Sequence, residues 1–223
     1  MEKLIYYFFN TEIMLRHLPE MLEGFVLTIG IAVAVVILGL SGGLGLAVLR
    51  AFQIRPLNWL IIAVVDILRA IPALVIIMVV YFALPYAGLQ LSSIGSTILA
   101  LAAVLAAVSE EVFWAGIIAT PKGQWEAARS TGLGFLQTLL SVVLPQAIRM
   151  SIPSLTNWTI AITKGTALGA AVAVPEIIGQ ALSIQSMAAN PSPLTLGALM
   201  YLVIFAPLVQ YSRWVERRYK WSR

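Results

Sequence analysis

Residues 121–145 read PKGQWEAARSTGLGFLQTLLSVVLP and form a polar interruption between two long apolar stretches. Gly132 and Gly134 flank Leu133 and favour a sharp turn, because glycine adopts backbone conformations that other residues avoid. Two short helices are therefore predicted, one on each side of the glycines. In the second half, leucines recur at helical spacing and predict an apolar face that docks into a partner: Leu133, Leu136, Leu139 and Leu140. The alternative is an ordinary amphipathic connector lying on the lipid surface.

The composition is that of a membrane protein. Of the 223 residues 60% are hydrophobic and 11% are charged, whereas a soluble domain carries about 25% charged residues. The length suits one transmembrane domain, residues 1–223, without a separate nucleotide-binding or catalytic domain. The sequence has no cysteine and a single histidine, His17, which excludes disulfides and a histidine-rich metal centre.

Five apolar stretches are long enough to cross a bilayer, which takes about 20 mainly apolar residues. The predicted fold is therefore all-α, with five transmembrane helices. A broken or tilted entry is expected in the second span, which carries Asp66, Arg69 and Pro72 in its first half. The N-terminal residues lack the pattern of a cleavable signal, so the first span is expected to be retained. The predicted spans are residues 24–48, 57–87, 94–118, 150–174 and 194–211.

The lysines and arginines predict the orientation of these spans. With a cytoplasmic C-terminus, ten basic residues fall inside and only two, Lys3 and Arg16, fall outside. The positive-inside rule then places the N-terminus outside and segment 121–145 in the cytoplasm. The ten inside residues are Arg50, Arg55, Lys122, Arg129, Arg149, Arg213, Arg217, Arg218, Lys220 and Arg223.

Small residues in the first span predict close helix packing. Gly39 and Gly43 are four residues apart, a spacing that lets two helices approach closely in lipid. Two locations are open for this contact, the bundle itself or a second subunit. The alternative is that the membrane helix simply tolerates glycine.

Polar and charged residues within the spans are candidates for a solute pathway, because charge at membrane depth normally faces a bundle interior or a watery cavity. Glu110 and Glu111 are adjacent, so their side chains point about 100 degrees apart. The alternative is structural ion pairing, either of Asp66 with Arg69 or of a glutamate with Arg69 or Lys164. The candidate set is Asp66, Arg69, Glu110, Glu111, Trp114, Lys164 and Thr166.

Glu126-Ala127-Ala128, followed by Gly132 and Leu144-Pro145, is similar to the EAA loop of permease subunits in bacterial ABC importers. The similarity covers nearly the whole chain from Gly24 to Trp214. The pattern around residues 66–85 resembles the polar amino-acid branch of these permeases, the histidine/glutamine-type family. The residues that match that branch, within this pattern and beyond it, are Asp66, Arg69, Pro72, Tyr81-Phe82, Leu84-Pro85, Glu111, Ala115-Gly116-Ile117, Asn157, Lys164, Thr166 and Pro175-Glu176.

The resemblance implies the type I importer permease fold with a cytoplasmic coupling helix. It implies partners: two ATPase subunits that use ATP and magnesium, a second permease subunit (copy or paralogue) and an extracytoplasmic substrate-binding protein. No cofactor or metal is expected on this chain itself, and the expected location is the bacterial inner membrane. The coupling residues implied are Glu126, Ala127, Ala128, Gly132, Leu133, Phe135, Leu136, Leu139 and Pro145. Glu126 is expected to fix the first short helix, and residues 176–193 to form an outside loop that faces the binding protein.

Departures from the family pattern bear on the solute. Trp114 stands where the family commonly has arginine, Glu110 where it has a small residue, and Gly165 where it has aspartate. The first two departures make the pathway more acidic, which favours a cationic or amine-bearing group, whereas Gly165 removes a carboxylate beside Lys164. A compensation is also predicted, in which Glu110 supplies Lys164 with the counter-charge lost at Gly165.

The function predicted is the permease subunit of an importer for a polar amino acid or amino-acid-like solute. The chain has no Gly-x-x-x-x-Gly-Lys-Ser/Thr phosphate loop, so ATP hydrolysis is assigned to a separate polypeptide. One alternative is an ion- or proton-coupled secondary carrier that uses Asp66, Glu110, Glu111 and Lys164 as a relay. No inverted repeat supports it. A membrane enzyme is disfavoured because no clustered polar site is visible.

Overall fold

The computed structural model describes residues 2–219, apart from the side chains of residues 2, 4 and 5, and the regular structure in this range is helical. Lys220 and Arg223, two of the predicted cytoplasmic charges, lie outside the described residues. In chain order the helices are α1 (Glu2–Phe8), α2 (Thr11–Arg16), α3 (Leu18–Ala51), α4 (Arg55–Ala70), α5 (Ala73–Met78), α6 (Ser93–Ala119), α7 (Lys122–Ser130), α8 (Phe135–Thr138), α9 (Leu144–Thr163), α10 (Ile177–Ala188) and α11 (Ser192–Tyr219).

Four stretches of the described chain are long and apolar enough to cross a membrane: α3, α6, the run Phe135–Ala188, and α11. A fifth candidate is made by α4 and the segment Ala73–Ala87, which are bent by 105° relative to each other. The predicted first, third and fifth spans are confirmed, and each helix extends beyond its predicted limits.

The second predicted span is broken at Ile71. This residue has an extended backbone, with φ −89° and ψ 132°, and directly precedes Pro72. Proline disfavours the helical conformation in the residue before it and has no N–H for a helical hydrogen bond. The break expected in this region is confirmed, and it divides residues 57–87 between α4 and the segment that begins at Ala73.

The fourth span begins inside segment 121–145 rather than at residue 150. Helix α8 continues through a π-helical turn, Leu139–Val143, directly into α9. Pro145 directly follows this π-helical turn, and because proline has no N–H for a helical hydrogen bond it suits a place where the α-helical pattern is already interrupted. After Thr163 the chain tightens into a 3-10 segment, Lys164–Val172. The predicted boundary was wrong because the second half of the loop is itself the base of the span.

Helices α3 and α6 make the central contact of the bundle. A Cβ atom added to Gly39 would lie 2.7 Å from the Leu105 side chain. One added to Gly43 would lie 2.6 Å from the Cβ of Ser109 and 2.7 Å from the carbonyl oxygen of Ala106. The predicted glycine contact is therefore confirmed, and it lies within the bundle.

Gly43→Ala is expected to lower the free energy of unfolding by about 1–3 kcal/mol, because its methyl group would overlap the backbone of α6. Gly45→Ala is the matched control, since a Cβ there has no neighbour within 4 Å, and alanine favours a helix more than glycine does. Thermal unfolding of the purified protein in detergent measures both effects. Equal midpoints for the two variants would contradict the tight α3–α6 contact.

Candidate functional site

The segment between α6 and α9 contains the two short helices that the sequence predicts. Gly132 lies in the turn between α7 and α8 with φ of 90°, a left-handed conformation that side-chain-bearing residues rarely adopt. The backbone N–H of Gly134 donates a hydrogen bond to Oε1 of Gln137 at 3.0 Å, which fixes the start of α8. We call residues 122–138 the coupling loop below.

One flank of the second half of this segment is exposed and the other is buried. Leu136 and Leu140 are 49% and 46% exposed, a pair four residues apart on one side of the helix. Leu139 is fully buried beside Ala47 and Phe113. Its predicted role in docking is therefore corrected: the helix runs straight into a span, so its inner flank has to pack against α3 and α6. Ala128 is likewise buried and has no surface for a partner.

The remaining predicted coupling residues lie at or near the surface. Among the described residues Glu126 has no ion pair, and its role in fixing α7 stays a prediction. Within this chain the Trp125 ring joins α7 to α8, because it stacks on Phe135 with centroids 5.7 Å apart. The exposed members are Glu126, Ala127, Gly132, Leu136 and Pro145, and the half-buried ones are Leu133 and Phe135.

A cavity of about 420 Å³ holds the closest charge pair of the candidate pathway. Nη1 of Arg69 lies 2.6 Å from Oε2 of Glu111, and both side chains remain about 40% exposed. Asp66 is more distant from Arg69, at 4.0 Å, and mostly exposed. Of the two pairings left open by the sequence, the Arg69–Glu111 pair is the close one. Met150, Ser154 and Trp158 complete the wall of this cavity.

Glu110 points away from this cavity, as expected for a neighbour of Glu111. Nη1 of Arg50 donates to both carboxylate oxygens of Glu110, at 3.0 and 3.2 Å. The Arg50 guanidinium also lies over the Trp114 ring, 4.7 Å from its centroid. Because Glu110 is fully buried and Arg50 mostly so, the structure corrects the placement of Glu110 on the solute pathway; its pair with Arg50 joins α3 to α6 instead. Trp114 is half-buried, and its place on the pathway stays a prediction.

Lys164 and Thr166 lie apart from the cavity as well. Nζ of Lys164 is 5.8 Å from the centroid of the Phe205 ring, and Thr166 is buried. Within residues 2–219 no carboxylate lies in salt-bridge range of Lys164. The predicted compensation between Glu110 and Gly165 is therefore wrong, because Arg50 already neutralises Glu110. From the sequence Arg50 was predicted only as a cytoplasmic charge, and no local pattern distinguishes Trp158 as a cavity residue.

The predicted outside loop, residues 176–193, is mainly helix α10, and Glu176 is buried at its start. The Glu176 carboxylate accepts hydrogen bonds from the backbone N–H of Gly179 at 2.8 Å and from the Tyr201 hydroxyl at 2.6 Å. Thr28 of α3 accepts a bond from the N–H of Ile177, at 3.2 Å. This network joins α3, α10 and α11, so Glu176 is not available to a binding protein.

Removing either partner of the Glu176–Tyr201 bond should destabilise the bundle to different extents. Glu176→Ala deletes the helix cap, worth about 1 kcal/mol, and leaves a buried hydroxyl without an acceptor, which costs about 1–3 kcal/mol. Tyr201→Phe keeps the cap but leaves one oxygen of the buried Glu176 carboxylate without this hydrogen bond, which costs about 1–3 kcal/mol. Because only Glu176→Ala also loses the cap, thermal unfolding in detergent should rank Glu176→Ala below Tyr201→Phe. The reverse order would contradict the capping role of Glu176.

Residues 43–221 match the model of a protein family described as the binding-protein-dependent transport system inner membrane component. The chain belongs to this family. Its members are permeases of ABC transporters, so the predicted resemblance is confirmed, and the chain is a multi-pass protein of the inner membrane. Membership implies two kinds of partner, an ATPase and a substrate-binding protein.

Two relatives in the family align over almost their whole length. The chain is 36% identical to the probable glutamine ABC transporter permease protein GlnP of Bacillus subtilis, over 91% of this chain and 95% of GlnP. It is 30% identical to the probable amino-acid ABC transporter permease protein YckA of Bacillus subtilis, over 96% and 95% respectively.

Solved permease structures share the fold. A chain from the crystal structure of an amino acid ABC transporter with histidines superposes with a TM-score of 0.82 at 28% identity, covering 92% of this chain and 96% of that one. A chain of the inward-facing MetNI methionine ABC transporter gives a TM-score of 0.61 at 20% identity, covering 89% and 95%. The predicted five-span importer permease fold is confirmed.

Proposed function

We propose that this permease carries a polar amino acid or an amino-acid-like solute inward, driven by ATP. The observation that carries the proposal is the Arg69–Glu111 pair on the wall of an open cavity. An α-amino acid bears one carboxylate and one ammonium group, so such a pair offers a counter-charge for each. The names of the relatives, glutamine and amino-acid permeases, support the same solute class.

In this proposal the coupling loop transmits the conformational changes of the ATPase to the permease. Separate ATPase subunits bind ATP and magnesium, and the exposed flank at Leu136 and Leu140 docks into a groove on one of them. The chain itself holds no cofactor and catalyses no reaction. Because α8 runs through the π-helical turn into α9, displacement of the docked flank would move the base of a span.

The transport path would lie between two permease subunits, this chain and either a copy or a paralogue. The N-terminus would face the outside and the C-terminus the cytoplasm, as the basic residues favour. The substrate-binding protein would then deliver solute from the side opposite the coupling loop.

The secondary-carrier alternative gains no support from the positions of its proposed relay. A proton relay needs neighbouring groups within hydrogen-bonding reach of each other or of shared water. Glu110 is instead bound to Arg50, while Lys164 lies over Phe205. These contacts separate two members of the relay from Glu111.

Reconstitution in proteoliposomes with the cognate ATPase and binding protein tests the proposal. Uptake of radiolabelled glutamine and other polar amino acids should require ATP on the side of the vesicle membrane that carries the ATPase. It should persist when a protonophore collapses the proton gradient. Uptake that needs the gradient but not ATP would overturn the proposal. Binding measurements across amino acids on the receptor would then identify the solute.

A further inference from the structure

The turn between α3 and α4, residues 52–54, packs against the coupling loop. The ring of Phe52 lies 5.4 Å from that of Phe135, and Phe135 stacks in turn on Trp125. The three aromatic rings therefore form a continuous row of contacts from the turn through α8 to α7. The turn and the coupling loop therefore lie at the same end of the bundle and form one surface.

This surface is apolar although it lies at the end of the helices. Phe52 is 42% and Ile54 51% exposed, comparable to Leu136 of the coupling loop and Leu140 of the π-helical turn that follows it. Exposed apolar groups along the spans face lipid, but these cluster with the coupling loop at one end of the bundle, and this position favours a protein contact. Between the two elements is a cavity of about 410 Å³, whose wall includes Gln53, Trp125 and Phe135. Lys122 also lines this cavity and adds a positive charge.

The turn has a fixed shape. Gln53 has φ of 56°, a left-handed conformation that residues other than glycine seldom adopt. Directly before the turn, Arg50 is held by two hydrogen bonds to the buried carboxylate of Glu110. A contact made by residues 52–54 would therefore act on α3 and α6 rather than only displace a loose loop.

We propose that residues 52–54 form a second contact element for the ATPase, continuous with the exposed flank of α8. The inference rests on the proposed function, in which the coupling loop docks on that subunit. The occupant is assigned from continuity with the coupling loop and from charge: the apolar area is bordered by Lys122 and Arg55, which suit an apolar partner groove with acidic groups at its edge. The ATPase would then move α3 as well as α9.

Site-specific cross-linking tests this proposal, and the absence of cysteine from the chain makes it direct. Gln53→Cys, Leu136→Cys and Leu89→Cys are each labelled with a photoactivatable maleimide in the purified permease, which is then assembled with the ATPase and illuminated. Leu89 is the matched control, an exposed leucine in the turn before α6 rather than in the coupling-loop surface. Products with the mass of permease plus ATPase are expected for positions 53 and 136 and not for 89.

The outcomes distinguish a failure of the second contact at residues 52–54 from a failure of the docking role of the coupling loop. A product at position 136 with none at 53 overturns the second contact alone. Absence of product at both positions, in a complex that contains the ATPase, overturns the docking role of the coupling loop together with it. A product of twice the permease mass at position 53 assigns the turn to a second permease copy and also overturns the inference.

A charge at residue 54 gives an independent readout. Ile54 is the N-cap residue of α4, where aspartate is a preferred residue, so Ile54→Asp should keep the fold. It should weaken ATPase binding to the permease about tenfold, the effect of removing one well-packed interface side chain. Leu89→Asp should bind normally. Unchanged binding in Ile54→Asp would overturn the proposal.

Discussion

Arg50→Met is expected to destabilise the permease by about 3–5 kcal/mol, because it leaves a buried carboxylate without its counter-charge. Glu110 is fully buried, and Arg50 supplies its two charge-assisted hydrogen bonds. The variant should unfold at a clearly lower temperature in detergent and accumulate to a lower level in the membrane. The cation–π contact of Arg50 with Trp114 is lost at the same time.

The double variant Arg50→Met/Glu110→Met is the control for this prediction. Replacing both members of a buried ion pair with apolar groups of similar volume is often close to neutral. The double variant should therefore recover most of the stability lost in Arg50→Met. If its loss equalled the sum of the two single losses, the ions would not be coupled, and the description of α3 joined to α6 through this pair would fail.

Leu136→Glu is expected to abolish most ATP-driven uptake while leaving membrane insertion intact. The side chain is about half exposed and lies on the flank proposed to dock on the ATPase, so a carboxylate there would be buried unpaired on docking. Uptake in proteoliposomes should fall at least about tenfold, the factor that corresponds to about 1.4 kcal/mol of lost interaction. ATP hydrolysis should no longer respond to loaded binding protein.

Two further substitutions make this result specific. Leu89→Glu places the same charge on another exposed leucine and should transport normally. Leu139→Glu should instead prevent folding, since Leu139 is fully buried against α3 and α6. Normal coupling in a correctly inserted Leu136→Glu permease would count against docking through this flank.

Features that depend on neighbouring residues were predictable from the sequence. The turn at Gly132, the break before Pro72 and the divergence of Glu110 and Glu111 all follow from backbone geometry or from a fixed angle per residue. The glycine contact of α3 was also visible, because close packing in lipid needs small residues at one spacing.

Features that depend on how helices face each other were not predictable. Arg50 and Glu110 are 60 residues apart, and no local pattern indicates that these two side chains meet. The same holds for Glu176 and Tyr201. Leu136 and Leu139 lie on different sides of one helix. The leucine spacing predicts an apolar side but does not show which leucines are buried against α3 and α6.

The unbroken run of helix from Phe135 to Thr163 sets a length scale for the molecule. At about 1.5 Å per residue it measures about 43 Å, close to the full thickness of a bilayer with its head groups. If the coupling loop docks on the ATPase as proposed, a rod of that length would carry its displacement across the membrane, with Pro153 as a point inside α9 where a backbone hydrogen bond is missing. Probes at its two ends should keep a nearly constant separation during transport, so that large changes of shape concentrate in the glycine turn before it and in the 3-10 segment after it.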